Sequence, residues 1–485
     1  MSVDKKEDYS LLHSAMEIPV DVGYMVYFIM FYEGIGNLFP WNAFITASNY
    51  YGQRFCGTSF ESNFENFFSI TYTLSQTIGL ALSVIYQNKL SLRSKIVYPL
   101  TWWAVVFAIT SILVTIDDID PNLLFWITLI SACLCGSFGA ILSGGLFGLG
   151  AMFPPAYTSA LMNGQGVAGL TVAVSSMLTS LATSPIDDCS DDNAGDDGDC
   201  SQSIDFSALA YFIIATLILG SCVFAFLALN QFSFARYYIA RADAGSTAIK
   251  NPDIVSPFID VLSDDGSPDD AEAVPKRRIS AEEAAPFAHL DDDGEVETTG
   301  ALSYAKLSSV YSQIWIPSMT VFFVFVVTIA IFPSLIVLLE SEKKCNSNER
   351  IFNDLYVPFF FFLFNFFDLI GRVSAGWITP LFTPKNVWIG AAVRVVFFFL
   401  FLFSNVGGSQ LPVLFKSDAF PIIFMILMAT SNGYVASLCM MMGASAVSVK
   451  DAPIAGTIMV FSLTIGLFGG ACMSFLVVLI SQGSL

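Results

Sequence analysis

Histidine is almost missing from this chain. Among 485 residues there are two, His13 and His289, both in hydrophilic segments. No H-E-x-x-H metal site can therefore form inside an apolar helix. No G-x-x-x-x-G-K-[ST] run is present, so no P-loop cradles a nucleoside triphosphate, and no apolar segment carries G-x-S-x-G or S-x-x-K. Charge is scarce too: Asp, Glu, Lys and Arg make up 13% of residues, against about 25% in soluble domains. The 21 basic residues face 41 acids, a net charge of −20, and leave no basic face for nucleic acid. These absences disfavour an enzyme and imply no metal and no cofactor. A carrier, a channel or a receptor remains.

Apolar sequence is abundant. The chain is 55% hydrophobic, with a mean hydropathy of +0.66. About eleven runs are long enough to cross a bilayer, at roughly 22–48, 67–86, 96–116, 122–147, 160–183, 207–229, 315–339, 356–381, 386–404, 419–442 and 454–481. The fourth and fifth are separated only by Pro154-Pro155. The expected fold is an all-α polytopic membrane protein. Residues 1–21 are polar, without the pattern of a cleaved signal peptide. With that tail cytoplasmic, ten Lys and Arg near the span ends, among them Lys89, Arg93 and Lys95, share its side. Only Arg54, Lys343, Lys344, Arg350 and Lys416 fall on the other. The positive-inside rule then puts the N-terminus in and, with an odd span count, the C-terminus out.

The acids concentrate in two hydrophilic stretches, 187–205 and 243–297. Residues 243–300, rich in Asp, Ser, Pro and Ala, read as a disordered cytoplasmic linker. The expected division is a tail at 1–21, a first bundle of six spans at 22–229, the linker at 230–314 and a second bundle of five spans at 315–485. "KRRIS" puts Ser280 behind two arginines, a candidate kinase site in that linker or an unmodified basic patch. The loop "DDCSDDNAGDDGDC" lacks the alternate-ligand spacing and terminal Glu of an EF-hand and reads as a solvated face. Cys189 and Cys200, within that outer loop, are the preferred disulfide, and Cys56 with Cys345 would be a second; free thiols are the alternative.

Four charges fall within the spans: Glu33, Asp368, Arg372 and Arg394. Each costs about 2.5–3.5 kcal/mol at a helix centre on insertion scales, so each needs a reason. Asp368 and Arg372, in "FNFFDLIGR", are one turn apart and face the same way, with Asn365 extending the polar stripe. Their pairing leaves donors and acceptors unused, which suits a polyhydroxylated ligand; a structural ion pair is the competing reading. The first span, "EGIGNLFPWNAFITASNYY", is loosened by Gly34, Gly36 and Pro40 and carries Asn37, Trp41 and Asn42. Trp41 is suited to stacking on a flat heterocycle, or to an interfacial belt.

"GIGNLFPWNAFITASNYY", "GGLFGLGAMFPPAYTSALMNGQGVAG", "FNFFDLIGR", "SNGYVASLCMM" and "AGTIMVFSLTIGLFGG", in that order and with a long loop after the sixth span, resemble the equilibrative nucleoside transporter family. The resemblance covers most of the apolar portion and none of the linker. It implies an eleven-span 6+5 fold similar to the major facilitator bundles, with a central nucleoside site opened to either side in turn. It further implies that Trp41 contacts the base, that Asp368 and Arg372 with Asn365 order the ribose end, and that Gly139 lies close to the ligand. Asn42 joins these as a candidate contact. Two positions depart from the family pattern. Ser143 stands where many relatives have a Gln that bonds the base. Glu33 stands where an apolar residue is expected, and it is either a proton carrier or the neutralising partner of Arg394 or Arg372.

Three functions follow: a facilitative nucleoside carrier, a proton symporter for nucleosides or nucleobases using Glu33, and, remotely, a receptor or scaffold signalling through the linker. The plasma membrane is the favoured location. "EDYSLL", Glu7 to Leu12, fits an acidic dileucine signal for an endosomal or vacuolar membrane.

Overall fold

The structure, a computed structural model, describes residues 19–483 except 47, 56–57, 61–63, 88, 117–118, 183–205, 251–302, 346–347 and 379. The candidate disulfide Cys189–Cys200, Ser280 and the Glu7–Leu12 signal lie outside the described residues. The helices are α1 (Met25–Thr46), α2 (Ser48–Arg54), α3 (Phe64–Ile85), α4 (Leu92–Val114), α5 (Pro121–Met152), α6 (Pro155–Ala182), α7 (Phe206–Leu229), α8 (Ser233–Lys250), α9 (Tyr304–Ile331), α10 (Tyr356–Trp377), α11 (Trp388–Arg394), α12 (Val396–Leu402), α13 (Ala419–Ser445) and α14 (Ala452–Gln482). Among the described residues nine helices are long and apolar enough to cross a membrane; α1 and the broken pair α11–α12 occupy two further expected spans.

Boundaries follow local chemistry. Asp120 caps α5, accepting from the Asn122 N–H at 2.9 Å, with Pro121 in the first turn, where its missing N–H costs nothing. The helix stops at Met152 because Pro154 cannot continue it, and Pro155 opens α6. The break therefore falls where the paired prolines predict, although α5 runs five residues past the expected 147. α14 ends at Gly483 in the left-handed region (φ +74°), whose N–H returns to Leu479 O.

Two bundles result. In the first, α1 packs on α6, α3 on α5 and α4 on α7; in the second, α9 packs on α14 and α10 on α13. The bundles meet where α6 lies against α10 and α13, and where α14 lies against α5 and α3. Two crossings are made by glycine. A Cβ on Gly34 would strike Leu161 O, and one on Gly164 would strike Phe31 O, so α1 and α6 touch backbone to backbone. In the second bundle a Cβ on Gly371 would strike Thr430 O and one on Gly433 would strike Asp368 O.

The segment expected as a disordered linker from 230 is helical at its start, and α9 begins at Tyr304, well before the expected 315. The physical reason is visible in α8: Phe234 and Ala235 are buried, and Phe234 and Tyr238 pack with Phe153 and Tyr157 at the α5–α6 turn. Tyr157 in turn donates to Asp21 (2.9 Å), whose carboxylate accepts from the Val26 and Tyr27 N–H groups that open α1.

Candidate functional site

The close α10–α13 crossing sets the polar centre. Asp368 and Arg372 share a face of α10, and Arg372 Nε donates to Asp368 Oδ2 at 2.6 Å with both residues buried. Because Gly433 lets the helices touch, Asn432 beside it reaches across and donates from Nδ2 to Asp368 Oδ1 at 2.7 Å. Asn432 Oδ1 then accepts from Thr328 of α9 at 2.7 Å. Arg394, 1% exposed at the end of α11, donates to Thr328 Oγ1, to Met428 O at 2.7 Å and to Ser431 Oγ. A continuous buried chain, Arg372–Asp368–Asn432–Thr328–Arg394, thus ties α10, α13, α9 and α11 together.

On the acid's side this corrects the expectation of a half-satisfied pair. Both Asp368 oxygens are engaged, and Arg372 spends a further donor on the first bundle, from Nη1 to Met162 O of α6 at 3.2 Å. That bond crosses between bundles. Gly166 makes room for it, since a Cβ there would lie 2.9 Å from Arg372 Cδ. Asn365 lies along the same seam, with its Oδ1 2.6 Å from where a Gly169 Cβ would be. Its amide does not join Asp368: Nδ2 donates to Phe361 O of its own helix at 2.9 Å.

The first bundle contributes a second cluster. Trp41 stacks on Tyr72, ring centroids 4.5 Å apart at 28°. Gly139 abuts Trp103 and Tyr72: a Cβ would lie 2.8 Å from the Trp103 ring and 3.4 Å from Tyr72 Oη. Trp103 is fixed there by donating from Nε1 to Cys135 O at 3.1 Å. Ser143 is buried and donates to Asn37 Oδ1 at 2.9 Å, joining α5 to α1. Asn42 is half-buried on α1, one residue past Trp41.

Glu33 is fully buried, and among the described residues neither carboxyl oxygen has a hydrogen-bond partner. The expectation that it neutralises Arg394 or Arg372 is therefore overturned. Arg372 is occupied by Asp368 and Met162, and Arg394 by Thr328, Met428 and Ser431. On α8's neighbour α7, Cys222 approaches the backbone of this stretch, donating to Tyr32 O at 3.8 Å and sitting where a Gly36 side chain would be.

A family model described as "Nucleoside transporter" matches residues 129–479. The chain belongs to this family. It is similar to equilibrative nucleoside transporter 2 of Homo sapiens, 29% identical over 479 residues, covering 95% of this chain and 98% of that protein. It is likewise similar to equilibrative nucleoside transporter 1 of Rattus norvegicus, 30% identical over 489 residues, with coverage of 94% and 98%. Among solved structures its fold resembles FucP, a Major Facilitator Superfamily transporter in the outward conformation (11% identity, TM-score 0.54, 93% of this chain and 90% of that one). It also resembles the proton:xylose symporter XylE bound to 6-bromo-6-deoxy-D-glucose (11% identity, TM-score 0.55, 94% of each chain). The all-helical, two-bundle major-facilitator architecture expected from sequence is the one observed.

Sequence reasoning placed Asp368 with Arg372 and missed Asn432 and Thr328 as the groups joining them to Arg394. The available signal was the position of Asn432, an amide within the apolar run of α13 and beside the glycine of "SNGYVASLCMM".

Proposed function

We propose that this protein carries nucleosides across a membrane down their gradient by alternating access of its two bundles. The observation that carries the reading is the Asp368–Arg372 pair, buried yet placed on the seam between α10 and α6. A structural ion pair needs no such seam. A group that must meet a ligand and also sense the facing bundle does. In this reading Trp41, backed by Tyr72, meets the base beside Asn42, Gly139 and Ser143. Asp368 and Arg372, with Asn365 near them, meet the ribose. The Asn37–Ser143 bond supplies a polar edge where many relatives have Gln. Eleven spans in a 6+5 division, an N-terminus in the cytoplasm and residence in the plasma membrane complete the proposal.

The test is uptake of labelled adenosine and uridine into proteoliposomes. Wild type should equilibrate saturably without an imposed gradient, and Asp368→Asn should abolish uptake while the protein remains folded. Absence of saturable uptake in wild type would overturn the proposal.

A second reading has one observation in its favour: Glu33, buried and unpartnered on the same helix as Trp41. A carboxyl in that position is suited to taking up and releasing a proton during transport, which makes the protein a symporter of nucleosides or nucleobases. Accumulation driven by an inward proton gradient, and lost in Glu33→Gln, would establish it.

A further inference from the structure

A cavity of about 540 Å³ lies between α3 and α5 of the first bundle, lined by none of the Asp368, Arg372 or Trp41 side chains. On α3 its floor is made of small residues one turn apart, Ser75, Gly79 and Ser83, and on α5 by Ser137 and Ile141. The helices touch behind the middle of this floor, where a Gly79 Cβ would lie 2.8 Å from that of Ala140. Its rim is apolar and open: Ile78, Leu82 and Leu90 are each about half exposed. At the end nearer the N-terminal side of the membrane the lining changes to Lys89 and Lys95.

Both ammonium groups are held in place. Lys89 Nζ sits 4.8 Å from the Tyr86 ring centroid. The stem of Lys95 packs beside Gly145 of α5, and its Nζ donates to Gln87 O at 2.6 Å, leaving two donors. Among the described residues no acid lines the cavity, and residues 86–95 contain none. In a chain with twice as many acids as bases, two lysines without a carboxylate at the mouth of an apolar groove need an anion from elsewhere.

We propose that this groove seats one anionic phospholipid from the leaflet on the N-terminal side. Lys89 and Lys95 hold its phosphate, and an acyl chain lies along Ile78 and Leu82. The alternation of surface supports this occupant: an apolar channel two to three helical turns long, ending in cations at the depth of the headgroups. A soluble anion would use the lysines and leave the groove bare. A zwitterionic lipid would fill the groove and gain little from the lysines.

The test is binding of phosphatidylserine and phosphatidylcholine with identical chains to the full chain in detergent, read by native mass spectrometry. Basic residues near a membrane surface contribute about 1 kcal/mol each, so two predict roughly a thirtyfold preference for phosphatidylserine. Lys89→Ala/Lys95→Ala should lower phosphatidylserine binding to the phosphatidylcholine level, and Lys89→Arg/Lys95→Arg should keep the preference. Ser137→Trp, which fills the groove without touching the lysines, should weaken both lipids. Lys416→Ala, at the opposite side of the membrane, should change neither. Equal binding of the two lipids overturns the proposal, as does a preference that survives Lys89→Ala/Lys95→Ala. Competition by glycerophosphoserine as strong as by the intact lipid also overturns it, since that marks a site for the anion alone.

Discussion

Asp368 faces two arginines and touches one. Arg372 binds it directly, while Arg394 reaches it through Thr328 and Asn432. Removing the carboxylate strands both cations in a buried network, and breaking a buried pair costs about 3–5 kcal/mol. Asp368→Asn should accordingly lower the melting temperature in detergent by several degrees as well as abolish uptake. Asn432→Ala leaves the pair intact but takes a partner from Asp368 and another from Thr328. It should cost about 1–3 kcal/mol by the same assay and reduce uptake less than Asp368→Asn does. The pair itself was legible in the sequence, because a spacing of four residues on one helix fixes its geometry. The rest was not. Asn432, Thr328 and Arg394 are joined only by helix crossings, and a lone Thr or Asn in an apolar run ordinarily bonds its own helix, as Asn365 does. Glu33 was legible as an anomaly, but its lack of a partner was not: two arginines were available in the sequence, and only packing decides that both are taken.

At the scale of helices, four glycines decide which surfaces meet. Gly34 with Gly164, and Gly371 with Gly433, bring carbonyl oxygens to where a side chain would begin. The obstacle at each is backbone, which cannot swing aside as a side chain does. Gly433→Ala should therefore push α13 from α10 and lengthen the Asn432–Asp368 bond, at a cost of about 1–3 kcal/mol. Thermal melting should show the loss, and Gly220→Ala, where a Cβ meets nothing within 4 Å, should show none. Helix limits were readable where a chemical stop exists, as at Pro154-Pro155. They were misread where a polar helix continues from an apolar one. Hydropathy ends at the membrane surface, but α9 extends beyond it to Tyr304, and α8 folds because its aromatic face finds Phe153 and Tyr157. The division of the ninth span into α11 and α12 at Val395 carries no proline or glycine to announce it.

Taken whole, the molecule is joined across its bundles at both ends. At one, Gln87 Nε2 donates to Pro453 O at 3.2 Å, and Thr457 bonds Gln87 and Gly144 O. At the other, Arg350, held by Asp354, donates to Ser180 O at 2.6 Å and Leu181 O at 3.2 Å, carbonyls in the last turn of α6. A guanidinium on helix-end carbonyls is a charge-assisted contact, weakened here because Arg350 is partly open to solvent. Arg350→Ala should therefore loosen this end. Labelling of a cysteine placed at Ala173, buried on α6, by a membrane-impermeant maleimide should speed up several-fold, while Gln87→Ala should leave that rate unchanged or slow it. The two-bundle plan itself was readable from span counting. The contacts that hold it closed were not, because they join loop or helix-end residues far apart in the chain.

The buried chain of α9, α10, α11 and α13 has an electrical consequence. Two guanidiniums set against one carboxylate leave a single positive charge inside the second bundle. Moving one charge through the whole membrane field changes the energy by about 2.3 kcal/mol per 100 mV. If rocking carries this group through a tenth of the field, the resting potential shifts the balance between the two orientations by about 0.2 kcal/mol per 100 mV. An uncharged cargo adds nothing to that shift, so voltage would set which side the empty protein prefers to face without supplying any force for accumulation.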